Sequence, residues 1–115
     1  KQVFTYLDKL NRHLSEPGRY IAGEELTLAD VHAFPHLSRF DSVYYSLYHL
    51  NLKYLNSYRH ITAYMSRLSE VAAFTETLDI EAIKEGYFCS WNQPTNGHFV
   101  PEGPIVHPGT GIAIV

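Results

Sequence analysis

Apolar side chains mark one face of a helix near the start of the chain. They recur at intervals of four, three and four residues: Val3, Leu7, Leu10 and Leu14. Pro17 and Gly18 cannot continue a helix, so the pattern predicts a helix over residues 1–15. Because no capping residue precedes the apolar stripe, we expect this helix to begin upstream of residue 1.

The segment from Leu26 to Val31 carries the signal for a second helix start. The Thr27 hydroxyl can cap the backbone, and the Asp30 carboxylate can reach back to the Thr27 amide. Together they form a capping box with Asp in place of the usual Glu or Gln. The apolar positions that follow cover much of the circumference, which predicts a central, buried helix to about residue 50. Pro35 lies inside this helix and should bend it.

Two shorter helices and an irregular tail follow. Apolar spacing predicts a helix at residues 58–68, and the acidic residues Asp79 and Glu81 predict the N-terminus of another at residues 79–87. From residue 92 to residue 115 the chain holds four Pro and four Gly without a usable period, which predicts an extended tail over the surface. The sequence therefore predicts an all-α domain at residues 1–91 and a tail at residues 92–115.

Composition narrows the possible functions. With 115 residues, 45% hydrophobic residues and 18% charged residues, the chain can form one globular domain. The net charge is −3 and the nine Lys and Arg residues are scattered, which argues against nucleic-acid binding. The longest charge-free stretch near the middle, residues 42–52, is too short to span a membrane, so we expect no span. One cysteine leaves no intrachain disulfide, and we expect a reducing compartment, either the cytoplasm or an organellar matrix or stroma.

Two candidate sites, one for a metal ion and one for a reactive thiol, are better explained as ordinary structural residues. His32 and His36 have the spacing of a zinc-binding pair, but the Glu of the usual motif and a third ligand are missing. We therefore expect two half-buried imidazoles and no metal site. A reactive thiolate needs a nearby cation or a helix N-terminus, whereas Cys89 lies near a predicted helix C-terminus, so we expect it to be unreactive.

Tyrosine is the unusual component, with nine residues in the chain. Such side chains commonly bridge a core and the solvent. Alternatively, their hydroxyls could hydrogen-bond a small aromatic ligand in a pocket. No glycine-rich nucleotide loop, nucleophile elbow or close acidic pair accompanies them, so the residues supply no complete active site.

Several stretches resemble the helical domain of a known superfamily. Residues 19–23 (Arg-Tyr-Ile-Ala-Gly) and 26–30 (Leu-Thr-Leu-Ala-Asp) resemble the start of the central helix in the C-terminal domain of glutathione transferases. Residues 39–44 (Arg-Phe-Asp-Ser-Val-Tyr), followed by Asn51, are similar to a segment of glutathionyl-hydroquinone reductases, the xi-class glutathione transferases.

The last helix and the tail resemble the same family. Residues 83–88 (Ile-Lys-Glu-Gly-Tyr-Phe) look like its Ile-Lys-x-x-Tyr-Tyr segment. Residues 93–95 and 101–104 look like its Asn-Pro-Thr and Pro-x-Gly-Pro tail. The resemblance implies a glutathione-transferase C-terminal-like helical bundle that is truncated at its N-terminus and carries a Gly/Pro-rich tail.

The resemblance also implies that binding of glutathione and binding of the quinol belong to two different domains. A thioredoxin-like domain outside this chain would hold glutathione, the co-substrate, and a catalytic cysteine that removes glutathione from glutathionyl-hydroquinones. This chain would bind no cofactor and hold no catalytic residue, and it would be inactive alone. Its Tyr44 and Tyr87 match family tyrosines and would bind the quinol, with both hydroxyls in one shared cleft. The helical domain would also mediate homodimerisation.

Departures from the family pattern leave a second function open. Phe88 stands where the family has its second paired Tyr, and Gln93 replaces an Asn. A glutathione-transferase-like helical domain could instead be a non-catalytic docking or scaffold subunit of a larger protein assembly.

Overall fold

The computed structural model describes residues 2–89 and 100–114. Its elements are helical, with two isolated β-bridges and no strands in these ranges. In chain order they are helix α1 (Gln2–Leu14), helix α2 (Leu28–Arg39), a π-turn (Phe40–Tyr44), helix α3 (Tyr45–Leu47), a 3₁₀ turn (Leu55–Ser57), helix α4 (Arg59–Leu68), helix α5 (Ala72–Glu76) and helix α6 (Ile80–Phe88). The prediction of an all-α fold is confirmed.

The main core lies between α1, α2 and α4. Each helix buries the face that its apolar spacing predicts: Phe4, Leu7 and Leu14 from α1, Phe34 and Leu37 from α2, and Ile61, Met65 and Leu68 from α4. The predicted helices at residues 1–15 and 58–68 are therefore present, with boundaries within a few residues of those expected. Val3 is 38% exposed and does not belong to this core.

The long helix predicted from Thr27 to about residue 50 is wrong in its second half. The α-helix ends at Arg39, and the chain continues as a π-turn in which the amide of Tyr45 donates to the carbonyl of Phe40. A short α-helical turn follows and ends at Leu47. A π-turn holds one residue more than an α-helical turn, so side chains beyond it are rotated relative to those before it.

Helix α2, the π-turn and α3 form one helical rod. Because of the rotation at the π-turn, the two ends of this rod pack in different cores. Phe34, Leu37 and Phe40 belong to the main core. Val43 near the end of the π-turn and Leu47 in α3 form a second core cluster with Phe88 of α6. The π-turn therefore joins two cores through one nearly continuous helical rod.

Helix α4 receives its N-terminal cap from another helix. Oδ1 of Asn11 in α1 accepts hydrogen bonds from the backbone amides of His60, at 2.9 Å, and Ile61, at 3.1 Å. Amides in the first turn of a helix have no partner within the helix. The Asn11 side chain gives two of these amides a hydrogen-bond acceptor and thereby fixes α1 against the start of α4.

The end of the tail is buried instead of lying on the surface. Ile112 is 1% exposed and belongs to the main core, and Ala113 is 2% exposed. The buried carboxylate of Asp41 accepts from the amide of Ala113 at 2.8 Å and from that of Leu55 at 2.9 Å. Tail residues 92–99 and the proposed boundary at residues 91 and 92 lie outside the described residues.

A buried lysine holds the nearer part of the tail. Lys84 of α6 is 2% exposed, and its Nζ donates to the carbonyl oxygens of Glu102 at 3.2 Å and Gly103 at 3.4 Å. Its cationic head is thus satisfied by backbone oxygens, as a buried polar group requires.

Candidate functional site

Tyr44 and Tyr87 lie against each other. The π-turn carries Tyr44 and α6 carries Tyr87, and their ring centroids are 6.0 Å apart with the planes at 77°, an edge-to-face pair. Burial, followed by the interaction with Tyr87, raises the pKa of the Tyr44 phenol above its ordinary value, so Tyr44 is a neutral phenol at physiological pH.

Tyr44 also lines an apolar groove of about 430 Å³. The groove runs between α1 and the rod formed by α2 and the π-turn, and Leu7, Leu10, Leu37 and Phe40 belong to its lining. Tyr87 does not line the groove, and its ring packs against that of Tyr44. The expectation that both phenols would face one cleft is not met in this groove, because Tyr44 lines it and Tyr87 does not.

His36 is the third polar member of this site. Its Nδ1 lies 3.2 Å from the Tyr44 hydroxyl, and its ring also lines the groove. The expectation of half-buried imidazoles is wrong, because His36 is exposed, and its contact with Tyr44 was not predicted. His32 is exposed, and no group of three His, Cys, Asp or Glu residues in the described ranges is placed to hold a metal ion.

The residues next to Tyr87 have no direct part in the site. Phe88 is buried beside Val43 and Leu47 and has no hydrogen-bonding group, so it contributes packing. Cys89 is the exposed C-cap residue of α6, at the end of the helix where the macrodipole disfavours an anion. This position favours no thiolate.

The capping box at the start of α2 combines an exposed residue, Thr27, with a buried one, Asp30. The Thr27 amide donates to Oδ2 of Asp30 at 2.9 Å, and the carboxylate is inaccessible to solvent. Its Oδ1 accepts from the Tyr64 hydroxyl at 2.5 Å and from the Ile21 amide at 3.2 Å. Asp30 therefore ties the start of α2 to α4 and to the preceding loop as well as capping its own helix.

Across the part of the chain that the structure describes, no helix has the length and apolar character needed to cross a bilayer.

Comparisons with known proteins agree on one family. The family model "Glutathione S-transferase, C-terminal domain" matches residues 1–67. The glutathionyl-hydroquinone reductase of Sphingobium chlorophenolicum is 31% identical over 103 residues, which are 89% of this chain and 32% of that protein. The glutathione S-transferase omega-like 2 of Schizosaccharomyces pombe is 36% identical over 106 residues, 90% of this chain and 34% of that protein.

A solved structure shares the fold. The glutathione-S-transferase Xi from Phanerochaete chrysosporium matches with a TM-score of 0.82 and 36% identity, over 89% of this chain and 35% of that chain. The chain thus spans about a third of the length of the relatives it matches.

Proposed function

The chain belongs to the glutathione S-transferase C-terminal domain family, and on that premise we propose that it is the quinol-binding helical part of a glutathione-dependent reductase that acts on glutathionyl-hydroquinones. The observation that supports this proposal most directly is the edge-to-face pair of phenols, Tyr44 and Tyr87, of which Tyr44 lines an apolar groove. A hydroquinone is a flat apolar ring with two polar oxygens, and aromatic faces with phenolic groups complement both features.

The reaction needs a thiolate from outside these residues. That sulfur would attack the glutathione sulfur, forming a disulfide bond and breaking the bond between sulfur and the aromatic carbon. The electron pair of the broken bond stays on the ring carbon, which takes up a proton, and the hydroquinone leaves. A second glutathione would then reduce the mixed disulfide and yield glutathione disulfide.

The role of this chain is to bind and orient the quinol. The groove excludes water from one face of the ring, and the phenols position its oxygens. The partners we propose are a thioredoxin-like domain that carries glutathione and the cysteine, and a second copy of the helical domain in a dimer. A reducing compartment is where such thiol chemistry proceeds.

Tyrosine-selective ¹³C labelling tests the binding role. We expect glutathionyl-hydroquinone, titrated without oxygen, to shift the ring resonances of Tyr44 and Tyr87, which Tyr→Phe variants assign. Tyr45 and Tyr54 stack on each other at 4.0 Å in a separate aromatic pair and serve as the internal control. If no shift occurs, or the control pair shifts equally, the quinol site is disproved and the non-catalytic docking subunit becomes the better hypothesis.

A further inference from the structure

The π-turn places Tyr44 above His36. The two residues are eight positions apart, and eight steps of an ideal α-helix rotate a side chain by about 800°, which leaves it ~80° away from the starting face. The extra residue of the π-turn between them makes the rotation about that of seven steps, within ~20° of two full turns. Because helical side chains lean toward the N-terminus, the Tyr44 hydroxyl can reach back to Nδ1 of His36.

The hydrogen bond between Tyr44 and His36 can run in either direction. The Tyr44 hydroxyl has one hydrogen to donate, and Nδ1 of a neutral His36 can either accept that hydrogen or donate its own. A neutral imidazole nitrogen is a far stronger base than the oxygen of a neutral phenol. With a neutral imidazole, Tyr44 therefore donates to Nδ1 of His36.

We infer that His36 sets the direction of the hydrogen bond at Tyr44, and that the groove consequently selects ligands that donate hydrogen bonds. The Tyr44 hydrogen is used in the bond to His36, and the lone pairs of the Tyr44 oxygen remain for a ligand in the groove. A hydroquinone carries hydroxyl hydrogens and can donate to them, whereas a quinone carries only carbonyl oxygens. His36 is thus a positioning residue that makes the site prefer the reduced ring.

The hydrogen-bond direction can be tested without any ligand. At about pH 8.5, above the range in which an ordinary imidazole titrates, long-range ¹H–¹⁵N spectra report the tautomer of each histidine. We expect His36, assigned through His36→Gln, to carry its proton on Nε2 and to change its Nδ1 shift in Tyr44→Phe. The control Tyr48→Phe removes a neighbouring phenol whose ring packs 5.6 Å from that of Tyr44. A proton on Nδ1, or an unchanged Nδ1 shift in Tyr44→Phe, would overturn the inference.

The ligand preference rests on the proposed function and needs its own experiment. Tetramethylhydroquinone and tetramethylquinone share one skeleton, and the fully substituted quinone does not add to thiols. By anaerobic equilibrium dialysis we expect the hydroquinone to bind severalfold more tightly to the wild-type chain. In His36→Phe the Tyr44 hydrogen becomes available to a carbonyl oxygen, so the two affinities should become nearly equal.

His32→Phe, a change at an exposed position one turn earlier in α2, is the matched control and should keep the wild-type ratio. An unchanged ratio in His36→Phe would overturn the role of His36 in selectivity. If neither probe binds the wild-type chain, the proposed quinol site fails together with the ligand preference, while the tautomer measurement still decides the direction of the hydrogen bond.

Discussion

Gly111 lies directly against the backbone of Ser38. A Cβ atom at Gly111 would be 2.1 Å from the Ser38 carbonyl oxygen and 2.9 Å from its carbonyl carbon, and Gly111 has a φ of +75°. Only a glycine combines this conformation with so close an approach to a helix backbone. The contact seats the end of the tail on α2, next to Ile112 in the main core.

Replacing Gly111 should therefore destabilise the fold. We expect Gly111→Ala to lower the free energy of unfolding by about 3 kcal/mol, because it adds left-handed strain to a clash with rigid backbone. Urea denaturation followed by circular dichroism measures this. Gly109→Ala is the control, since a Cβ there makes contacts of 3.4 Å or longer. Equal midpoints for the two variants would show that the tail is not seated as described.

The cap that Asn11 provides to α4 gives a second prediction. Asn11→Ala should lower the free energy of unfolding by about 1 kcal/mol, because the amides of His60 and Ile61 lose their acceptor. Asn11→Asp keeps an acceptor oxygen and adds a negative charge near a helix N-terminus, so its stability at neutral pH should match or exceed that of the wild type. Thermal unfolding of both variants tests this prediction. An Asn11→Ala variant as stable as the wild type would show that Asn11 does not cap α4.

Removal of the Asp30 carboxylate should lower the free energy of unfolding more than the loss of an ordinary helix cap does. Asp30 accepts from two backbone amides and the Tyr64 hydroxyl while fully buried. We therefore expect Asp30→Ala to lower the free energy of unfolding by about 3 kcal/mol, against about 1 kcal/mol for Tyr64→Phe, which removes only one donor. A double-mutant cycle between the two positions should show a coupling well above experimental error, and strict additivity would refute the shared hydrogen bond.

The buried carboxyl of Asp41 predicts the direction in which the stability of the fold changes with pH. Burial raises the pKa of its carboxyl, while the amides of Ala113 and Leu55 partly oppose that shift. The folded state therefore binds the Asp41 proton more tightly than the unfolded chain does, so this residue favours folding as the pH falls through its raised folded pKa. The stability of the wild type minus that of Asp41→Asn should increase from pH 7 toward pH 4. A constant or decreasing difference would show that the hydrogen bonds outweigh burial.

The 115 residues alone should not reduce glutathionyl-hydroquinones. Cys89 is the only cysteine, and its place at the C-terminal end of α6 does not favour a thiolate. We expect no turnover above the uncatalysed rate in a coupled assay of glutathione disulfide, and no change in Cys89→Ser. Turnover that disappears in Cys89→Ser would make Cys89 a nucleophile and would overturn our description of the site.

Local signals account for the parts of the fold that the sequence predicted. The faces of α1 and α4 follow from apolar spacing, and the start of α2 follows from Thr27 and Asp30, because each signal lies within a few residues of its structural effect. The cap from Asn11 joins residues 49 and 50 positions apart, and no local pattern encodes it. The burial of Ile112 was missed because the glycines and prolines around it favour an irregular surface segment.

The site was predicted only in part for a similar reason. Tyr44 and Tyr87 were identified through the family resemblance, and nothing in their own spacing joins them. The sequence did not predict the contact between His36 and Tyr44, because a regular helix would turn His36 away from Tyr44. The π-turn that aligns them has no local sequence signal, since it arises from the need to bury Phe40 in one core and Val43 in the other.

The division of the helical rod between two cores has a consequence for local unfolding. Phe88 of α6 packs in the smaller cluster with Val43 and Leu47, whereas Ile112 returns the tail to the larger one. We therefore expect α6 to open locally without opening the larger core, an opening that also releases the hydrogen bonds of Lys84 to Glu102 and Gly103. Its amides should then exchange with solvent at a lower free energy than those of α4, which hydrogen exchange measures.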